Sequence, residues 1–311
     1  MPNSTPPDAG EPNPGPTPKP QAGANGPDSF SRRSLRQAAP TSRAGRDLPA
    51  AIAVGLVLLV GVLVGLLLFP LAFVVIVTLF GVLGSWEVGR ALAESKVDLP
   101  LVPLAVGAIS MPFSAYYGGP EALGFALAGS LLLVLLWRVI EGGGGATRSV
   151  LASVFVALWV PFLLSFSILL FNEADGPLKV ATLLLLVVAN DTFGYLVGAF
   201  LGKHPMAPKI SPKKSWEGFA GSVAGAVVVG VLASVWLLGQ PWWVGVPLAM
   251  ATVAAATVGD LSESMVKREL GIKDMSTLLP GHGGFMDRLD SIVFASPVAY
   301  ILFVLLLPGA V

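Results

Sequence analysis

Residues 50–69 read AAIAVGLVLLVGVLVGLLLF and residues 71–92 read LAFVVIVTLFGVLGSWEVGRAL, with Pro70 between them. A helix needs about 20 apolar residues to cross the hydrocarbon core of a bilayer, and each run meets that length. Joined, they would be too long for one crossing. A proline at the join ends one helix and suits the first turn of the next. Runs of this kind recur to Leu307, and about nine spans are expected: 50–69, 71–92, 99–117, 121–140, 149–171, 178–201, 217–238, 242–260 and 288–308. Gly142–Gly145 reads as a flexible connection between the fourth and fifth. The fold class predicted is an all-α polytopic membrane protein.

Composition agrees. Hydrophobic residues make up 54% of the 311 and charged residues 12%, with a mean hydropathy of +0.77. An average soluble domain is about 25% charged. The absence of cysteine excludes disulfides, thiol catalysis and cysteine metal sites. His204 and His282 are the only histidines, which excludes a His-rich metal centre. Residues 1–47 are a different regime, rich in Pro, Gly, Ser and Asn. Such a segment cannot bury enough apolar surface to fold, so a disordered cytoplasmic tail is expected, followed by a membrane domain over 48–311. The first apolar run lies too deep for a signal peptide, and the tail has no cleavage pattern. The tail ends in Arg32, Arg33, Arg36, Arg43 and Arg46. That patch reads as a topology signal with some attraction to anionic lipid. With no aromatic residues interleaved, no nucleic-acid partner is expected.

The charges are sorted by side. With the N-terminus in the cytoplasm, all of the 19 Lys and Arg except Lys179 fall on the inner side of the expected spans. This positive-inside pattern puts the C-terminus outside and the two motif-bearing loops in the cytoplasm. A multi-pass protein of the cell membrane, with its active site facing the cytoplasm, is the expected placement. Gly61/Gly65, Gly194/Gly198/Gly202 and Gly221/Gly225 recur at four-residue spacing. Such spacing lets helix backbones approach closely, first of all within one bundle.

Three polar clusters stand out. Asn190-Asp191-Thr192 lies inside the sixth span, with Tyr195 one turn further on. A carboxylate at that depth faces a wet cavity or a partner, or else braces helices in a buried polar knot. The second cluster is GKHPMAPKISPKKSWEG, residues 202–218, with Lys203, Lys209, Lys213 and Lys214. Ser215 reads as the N-cap of span seven, with Glu217 in its first turn. A helix N-terminus preceded by two lysines suits a triphosphate, although an ordinary basic inner loop would look the same. The third cluster starts at Gly259-Asp260. Asp260, Glu263, Ser264 and Lys267 share one helical face if the helix continues. Arg268 and Lys273 follow, then Pro280-Gly-His-Gly-Gly, with Asp287, Arg288 and Asp290 at the entry to the last span. Carboxylate and hydroxyl oxygens suit Mg²⁺, and Asp260 and Asp287 could share one ion. Gly283-Gly284 would let backbone approach a phosphate. His282 could bond a phosphate or brace its loop.

These residues read as Mg²⁺-dependent transfer of a nucleotidyl or phosphoryl group, with Lys and Arg holding the remaining phosphate charge. There is no GxxxxGK[ST] loop and no convincing GxGxxG, so a nucleotide would bind the inner face of the bundle itself. The other substrate would then be a lipid.

The pattern Ser264-x-Val266-Lys267-Arg268-x₄-Lys273-Asp274-x-Ser276-x₂-Leu279-Pro280-x-His282-Gly283-Gly284-Phe285-x-Asp287-Arg288-Leu289-Asp290 resembles the signature of the phosphatidate cytidylyltransferases, the CDP-diacylglycerol synthases. Asn190-Asp191-Thr192 with Tyr195 and Gly198, and Ser211–Gly218, are also similar to that family. The resemblance covers about residues 50–308 and not the tail. It implies transfer of CMP from CTP to phosphatidic acid, giving CDP-diacylglycerol and pyrophosphate. It implies Mg²⁺ held by Asp260 and Asp287, with K⁺ as a candidate second ion, and a homodimer. Lys267, Arg268 and Arg288 would then hold phosphates, and Lys213, Lys214 and Ser215 the nucleotide. Asp191 would line the cavity or support the second ion. Ser264, Lys273, His282, Gly283 and Gly284 complete the expected substrate contacts.

Two other readings stay open at this point. A CTP-dependent kinase of a polyprenol or other lipid would use similar groups but transfer the γ-phosphate to a hydroxyl, with Asp191 or His282 as base. A transporter would show matching polar sites in two repeated halves. No internal repeat is visible, and the polar residues gather on one side.

Overall fold

Pro70 divides the first apolar run as expected. In the computed structural model, which describes residues 48–279 and 283–307, helix α1 spans Leu48–Leu68 and α2 spans Pro70–Glu94 with the proline in its first turn. The turn is tight: a Cβ on Gly65 would lie 2.9 Å from the backbone nitrogen of Phe73. Helix α3 spans Leu101–Glu141, α4 Ala146–Phe171, α5 Gly176–Leu201, α6 Trp216–Leu237, α7 Trp242–Glu269 and α8 Met286–Leu306.

Seven helices among the described residues, α2 to α8, are long and apolar enough to cross a membrane. The chain is thus an all-α polytopic membrane protein with one small β element. The spans expected over 99–117 and 121–140 both lie in α3. This element of 41 residues leaves helical geometry at Gly119, with φ 68° and ψ −158°, just before Pro120. A glycine is needed there because that backbone region is closed to a side chain. The glycine connection after α3 is ordered by the same freedom, with φ of 66°, 103° and 78° at Gly142, Gly143 and Gly145. The turn between α4 and α5 is tied to α3 near its break. Asn172 Nδ2 donates to the carbonyls of Ala115 at 3.2 Å and Tyr116 at 2.8 Å.

Small residues set the helix spacing that frames the inner half. A Cβ on Gly194 of α5 would meet Ser222 Oγ of α6 at 2.4 Å, and one on Gly225 would meet the Phe193 ring at 2.1 Å. One on Gly259 of α7 would lie 2.2 Å from the carbonyl oxygen of Asp290 in α8. The four-residue glycine spacing in α5 and α6 therefore serves packing within the bundle. Dispersion between such closely approached backbones, not water exclusion, drives this kind of association in lipid.

The segment between α5 and α6, read from sequence as a loop, forms a hairpin. Strand β1, Pro205–Ala207, pairs antiparallel with β2, Ser211–Ser215. Pro205, Pro208 and Pro212 forbid a helix here, and the short ladder satisfies backbone groups that would otherwise be left open. Lys179 is the one basic residue that falls off the expected inner side. It is buried in α5, with its ammonium 4.0 Å from Glu173 and 5.9 Å from the centre of the Phe303 ring.

Candidate active site

Helix α7 runs nine residues past the end expected for its span, which puts Asp260, Glu263, Ser264 and Lys267 on a continuous helical face. Ser264 Oγ donates to Asp260 Oδ1 at 3.4 Å. Lys267 Nζ donates to Glu263 Oε2 at 2.8 Å, one turn back. Lys267 and Arg268 occupy the last turn, where cations are favoured by the exposed carbonyls.

A cavity of about 320 Å³ opens beside this face. Asn190 and Asp191 of α5, Lys213, Lys214 and Ser215 of the hairpin, and Asp260 of α7 all line it. Tyr195 lines it too, on the face shared with Asp191. The three clusters separated in sequence thus meet around one space. Its volume falls in the range of about 300–1,000 Å³ usual for small-molecule sites. Lys214 Nζ pairs with Asp260 Oδ2 at 2.5 Å, which draws the hairpin onto α7. Arg268 strengthens that join, with Nε donating to the Ile210 carbonyl at 3.2 Å.

Ser215 is the N-cap of α6 as the sequence predicts. Its backbone is extended, and its Oγ accepts from Gly218 N at 3.1 Å. Glu217 folds back and accepts from the backbone nitrogens of Lys203 and His204, both at 3.1 Å, and pairs with His204 Nδ1. The hairpin base is therefore closed by Glu217 and by Trp216 N, which donates to the His204 carbonyl at 2.9 Å. A helix N-terminus such as that of α6 favours an anion.

The signature loop between α7 and α8 folds around Asp287. Asp287 Oδ1 accepts from Lys267 Nζ at 2.8 Å. Its Oδ2 accepts from Met275 N at 3.0 Å and Gly284 N at 2.8 Å. Leu279 N donates to the Gly283 carbonyl at 2.9 Å, which narrows the loop. Gly283 has φ 78°, and a Cβ there would come 2.9 Å from Asp287 Oδ2. The paired glycines expected to approach phosphate thus approach carboxylates here. His282 lies outside the described residues, as does the tail 1–47. Lys273 is exposed on the loop and is not among the residues lining the cavity. Arg288 is exposed, and its charge acts on Asp191.

Sequence reasoning missed Glu87. It is fully buried in α2. Glu87 accepts from Ser276 Oγ at 2.5 Å, Phe285 N at 2.9 Å and Met286 N at 2.8 Å. The last two are orphan donors at the start of α8, so Glu87 caps that helix from another helix. The signal was available. A lone carboxylate in an apolar span marks a partner by the rule that singled out Asp191.

Asp260 and Asp287, expected to share a cation, are each paired with a lysine, Lys214 and Lys267. No group of three or more acidic or histidine side chains with metal-binding geometry occurs among the described residues. The charges of Asp191, Asp260 and Asp290 nevertheless act on one another. Carboxylate oxygens such as those of Asp260 and Asp287 are hard donors of the kind a divalent cation takes, and its charge would offset such repulsion.

Residues 49–306 match the sequence profile of the cytidylyltransferase family. The phosphatidate cytidylyltransferase of Mycobacterium leprae (strain TN) is 43% identical over 296 residues, 88% of this chain and 94% of the relative. That of Mycobacterium tuberculosis (strain ATCC 25618 / H37Rv) is 39% identical over 300 residues, 92% of each chain. The phosphatidate cytidylyltransferase of Brucella suis biovar 1 (strain 1330) is 38% identical over 186 residues, 59% of this chain and 66% of its own.

Proposed function

The chain belongs to the cytidylyltransferase family, and from that premise we propose that it transfers CMP from CTP to phosphatidic acid, forming CDP-diacylglycerol and pyrophosphate. The observation that carries this reading is the convergence of Asp191, Lys213, Lys214, Ser215 and Asp260 on one cavity, with the Lys267–Asp287 pair about two turns along α7 from Asp260. The names of its relatives agree with it.

An oxygen of the phosphatidate monoester attacks the α-phosphorus of CTP. The new P–O bond forms as the bond to the β-phosphate breaks, and pyrophosphate leaves. The second pKa of a phosphomonoester is about 6, so the attacking group is already anionic at neutral pH and no general base is required. The protein's work is positioning and charge neutralisation. Lys213, Lys214 and the capped N-terminus of α6 hold the triphosphate. Lys267, Arg268 and Arg288 hold phosphate oxygens at the loop side. Lys214 and Lys267, which here face carboxylates, exchange those partners for phosphate when substrate enters. Asp260 and Asp287 would hold Mg²⁺, which would supply Lewis-acid neutralisation of phosphate charge.

The same reading places the protein in the cell membrane as a homodimer. It has nine crossings, the N-terminus and active site in the cytoplasm and the C-terminus outside. The distribution of Lys and Arg supports that orientation.

The test uses purified protein, phosphatidic acid, Mg²⁺ and CTP labelled at the α-phosphate. Label in the lipid, with equimolar pyrophosphate and dependence on Mg²⁺, is expected. CDP formed only when a polyprenol is added would replace this reading with a lipid kinase.

A further inference from the structure

A second cavity, of about 510 Å³, is a groove between α2 and α3. Its walls include Val82, Ser85 and Trp86 of α2, Val102 and Ala105 of α3, and Leu278 of the signature loop. Resting on the reaction proposed above, we propose that this groove holds an acyl chain of the phosphatidate substrate, with its headgroup leaving past Leu278 toward Lys267 and Arg288.

Four observations carry the assignment. First, the lining is almost wholly apolar, and both helices that form it are apolar enough to cross a membrane. A polar nucleotide gains nothing there, whereas a hydrocarbon chain does. Second, the groove lies close to the reaction centre along the chain. Leu278 lies three residues from Met275, whose N–H is bonded to Asp287. Three residues of chain span at most about 11 Å, so the wall of the groove and the Asp287 cluster are within a lipid headgroup of each other. Glu87, on the same helix as Ser85, holds this loop in place through Ser276. Third, the rim carries a cation. The Arg90 guanidinium sits 5.5 Å from the centre of the Trp86 ring. An apolar groove with a cation at its edge complements an anionic amphiphile rather than a neutral one. Fourth, Ser85 is 3% exposed and its Oγ has no hydrogen-bond partner among the described residues. A buried hydroxyl without an acceptor calls for one, and the ester carbonyl of a diacyl lipid supplies it.

The experiment uses the full chain in lipid nanodiscs with phosphatidic acid carrying a diazirine on one acyl chain, photolysed without CTP and mapped by peptide mass spectrometry. Labelling is expected on residues 82–86 and 101–105. It is expected to be lost in Ala105→Trp, which fills the groove, and kept in Val106→Trp, the neighbouring exposed position. In turnover assays Ala105→Trp should raise KM for phosphatidic acid about tenfold and leave KM for CTP unchanged. Ser85→Ala, which disturbs packing little, should raise KM for phosphatidic acid about fivefold. Label spread evenly over the lipid-facing helices and insensitive to Ala105→Trp would overturn the assignment, leaving only bulk lipid over the groove. Equal labelling by a diazirine phosphatidylcholine would overturn it as well. Because the labelling needs no CTP, it is separable from the reaction. Groove labelling without CMP transfer would sink the reaction alone, and CMP transfer without groove labelling would sink the groove alone.

Discussion

Lys267 Nζ stands 2.8 Å from Asp287 Oδ1, bridging the end of α7 to the start of α8 across the signature loop. The same ammonium also holds Glu263 at 2.8 Å. One lysine thus fixes two carboxylates, and its charge joins the two helices on either side of the loop.

Replacing Asp287 with Asn keeps an acceptor for Met275 N and Gly284 N but removes the charge that faces Lys267. Activity of Asp287→Asn should fall at least about a hundredfold, as for loss of a preorganised charged group. Stability should fall by only about 1–3 kcal/mol. Turnover of labelled CTP and thermal unfolding in detergent check the two parts. A folded variant with near-normal turnover would remove Asp287 from the reaction centre.

Glu87 accepts three hydrogen bonds while fully buried. Glu87→Ala leaves all three donors without a partner, and a loss of about 3 kcal/mol or more is expected. Glu87→Gln keeps one acceptor oxygen but turns an amide N–H₂ toward donors, so it should lie between wild type and Ala. The readouts are the unfolding midpoint and protease cutting within residues 270–285, which should quicken in the same order. An unchanged midpoint in Glu87→Ala would mean that the loop is held by something else.

Two glycines give opposite expectations for one change. Gly259→Ala drives a methyl to 2.2 Å from the Asp290 carbonyl. Backbone cannot yield cheaply, so α7 and α8 must separate, at an overpacking cost of about 1–3 kcal/mol and with loss of activity. Gly61→Ala meets nothing within 4 Å and should be neutral or slightly stabilising, since alanine favours helix by up to about 1 kcal/mol. Parallel melting curves decide it. A Gly259→Ala protein as stable as Gly61→Ala would mean the helix crossing is looser than described.

Lys214 borders the cavity and pairs with Asp260. Lys214→Ala should raise KM for CTP about tenfold or more, the scale of one charge-assisted phosphate contact. It should leave KM for phosphatidic acid within about twofold. Steady-state kinetics with each substrate varied in turn would show the split. A rise confined to phosphatidic acid would move Lys214 to the lipid side.

What the sequence disclosed was mostly local. Pro70 marked a helix start because its ring fixes φ and lacks an N–H. Ser215 marked a cap because it stands just before an apolar run, with Glu217 in the first turn. The face of Asp260, Glu263, Ser264 and Lys267 followed from helical periodicity. The partners of these residues were not legible, because they lie far away in sequence. Asp260 meets Lys214, 46 positions earlier, and nothing in either segment encodes that distance. Glu87 was hidden for the same reason, its partners being 189 to 199 positions away. The hairpin escaped notice because three prolines read as loop, and only the pairing of β1 with β2 makes it a ladder. Lys179 was the exception to the charge-sidedness rule, and it is buried against Glu173 and Phe303. That is a contact between helices, which charge counting does not see.

The span between Glu87 and its partners also sets a timetable for biogenesis. Helix α2 leaves the ribosome with a carboxylate whose three donors have yet to be made. At about 5–20 residues per second, their synthesis follows some ten to forty seconds later. Through that interval the nascent chain holds an uncapped acid at a site that the finished protein buries. A chain cut short before residue 276 never relieves it. Early helices without the last one therefore keep, in their own second span, a carboxylate whose donors never arrive.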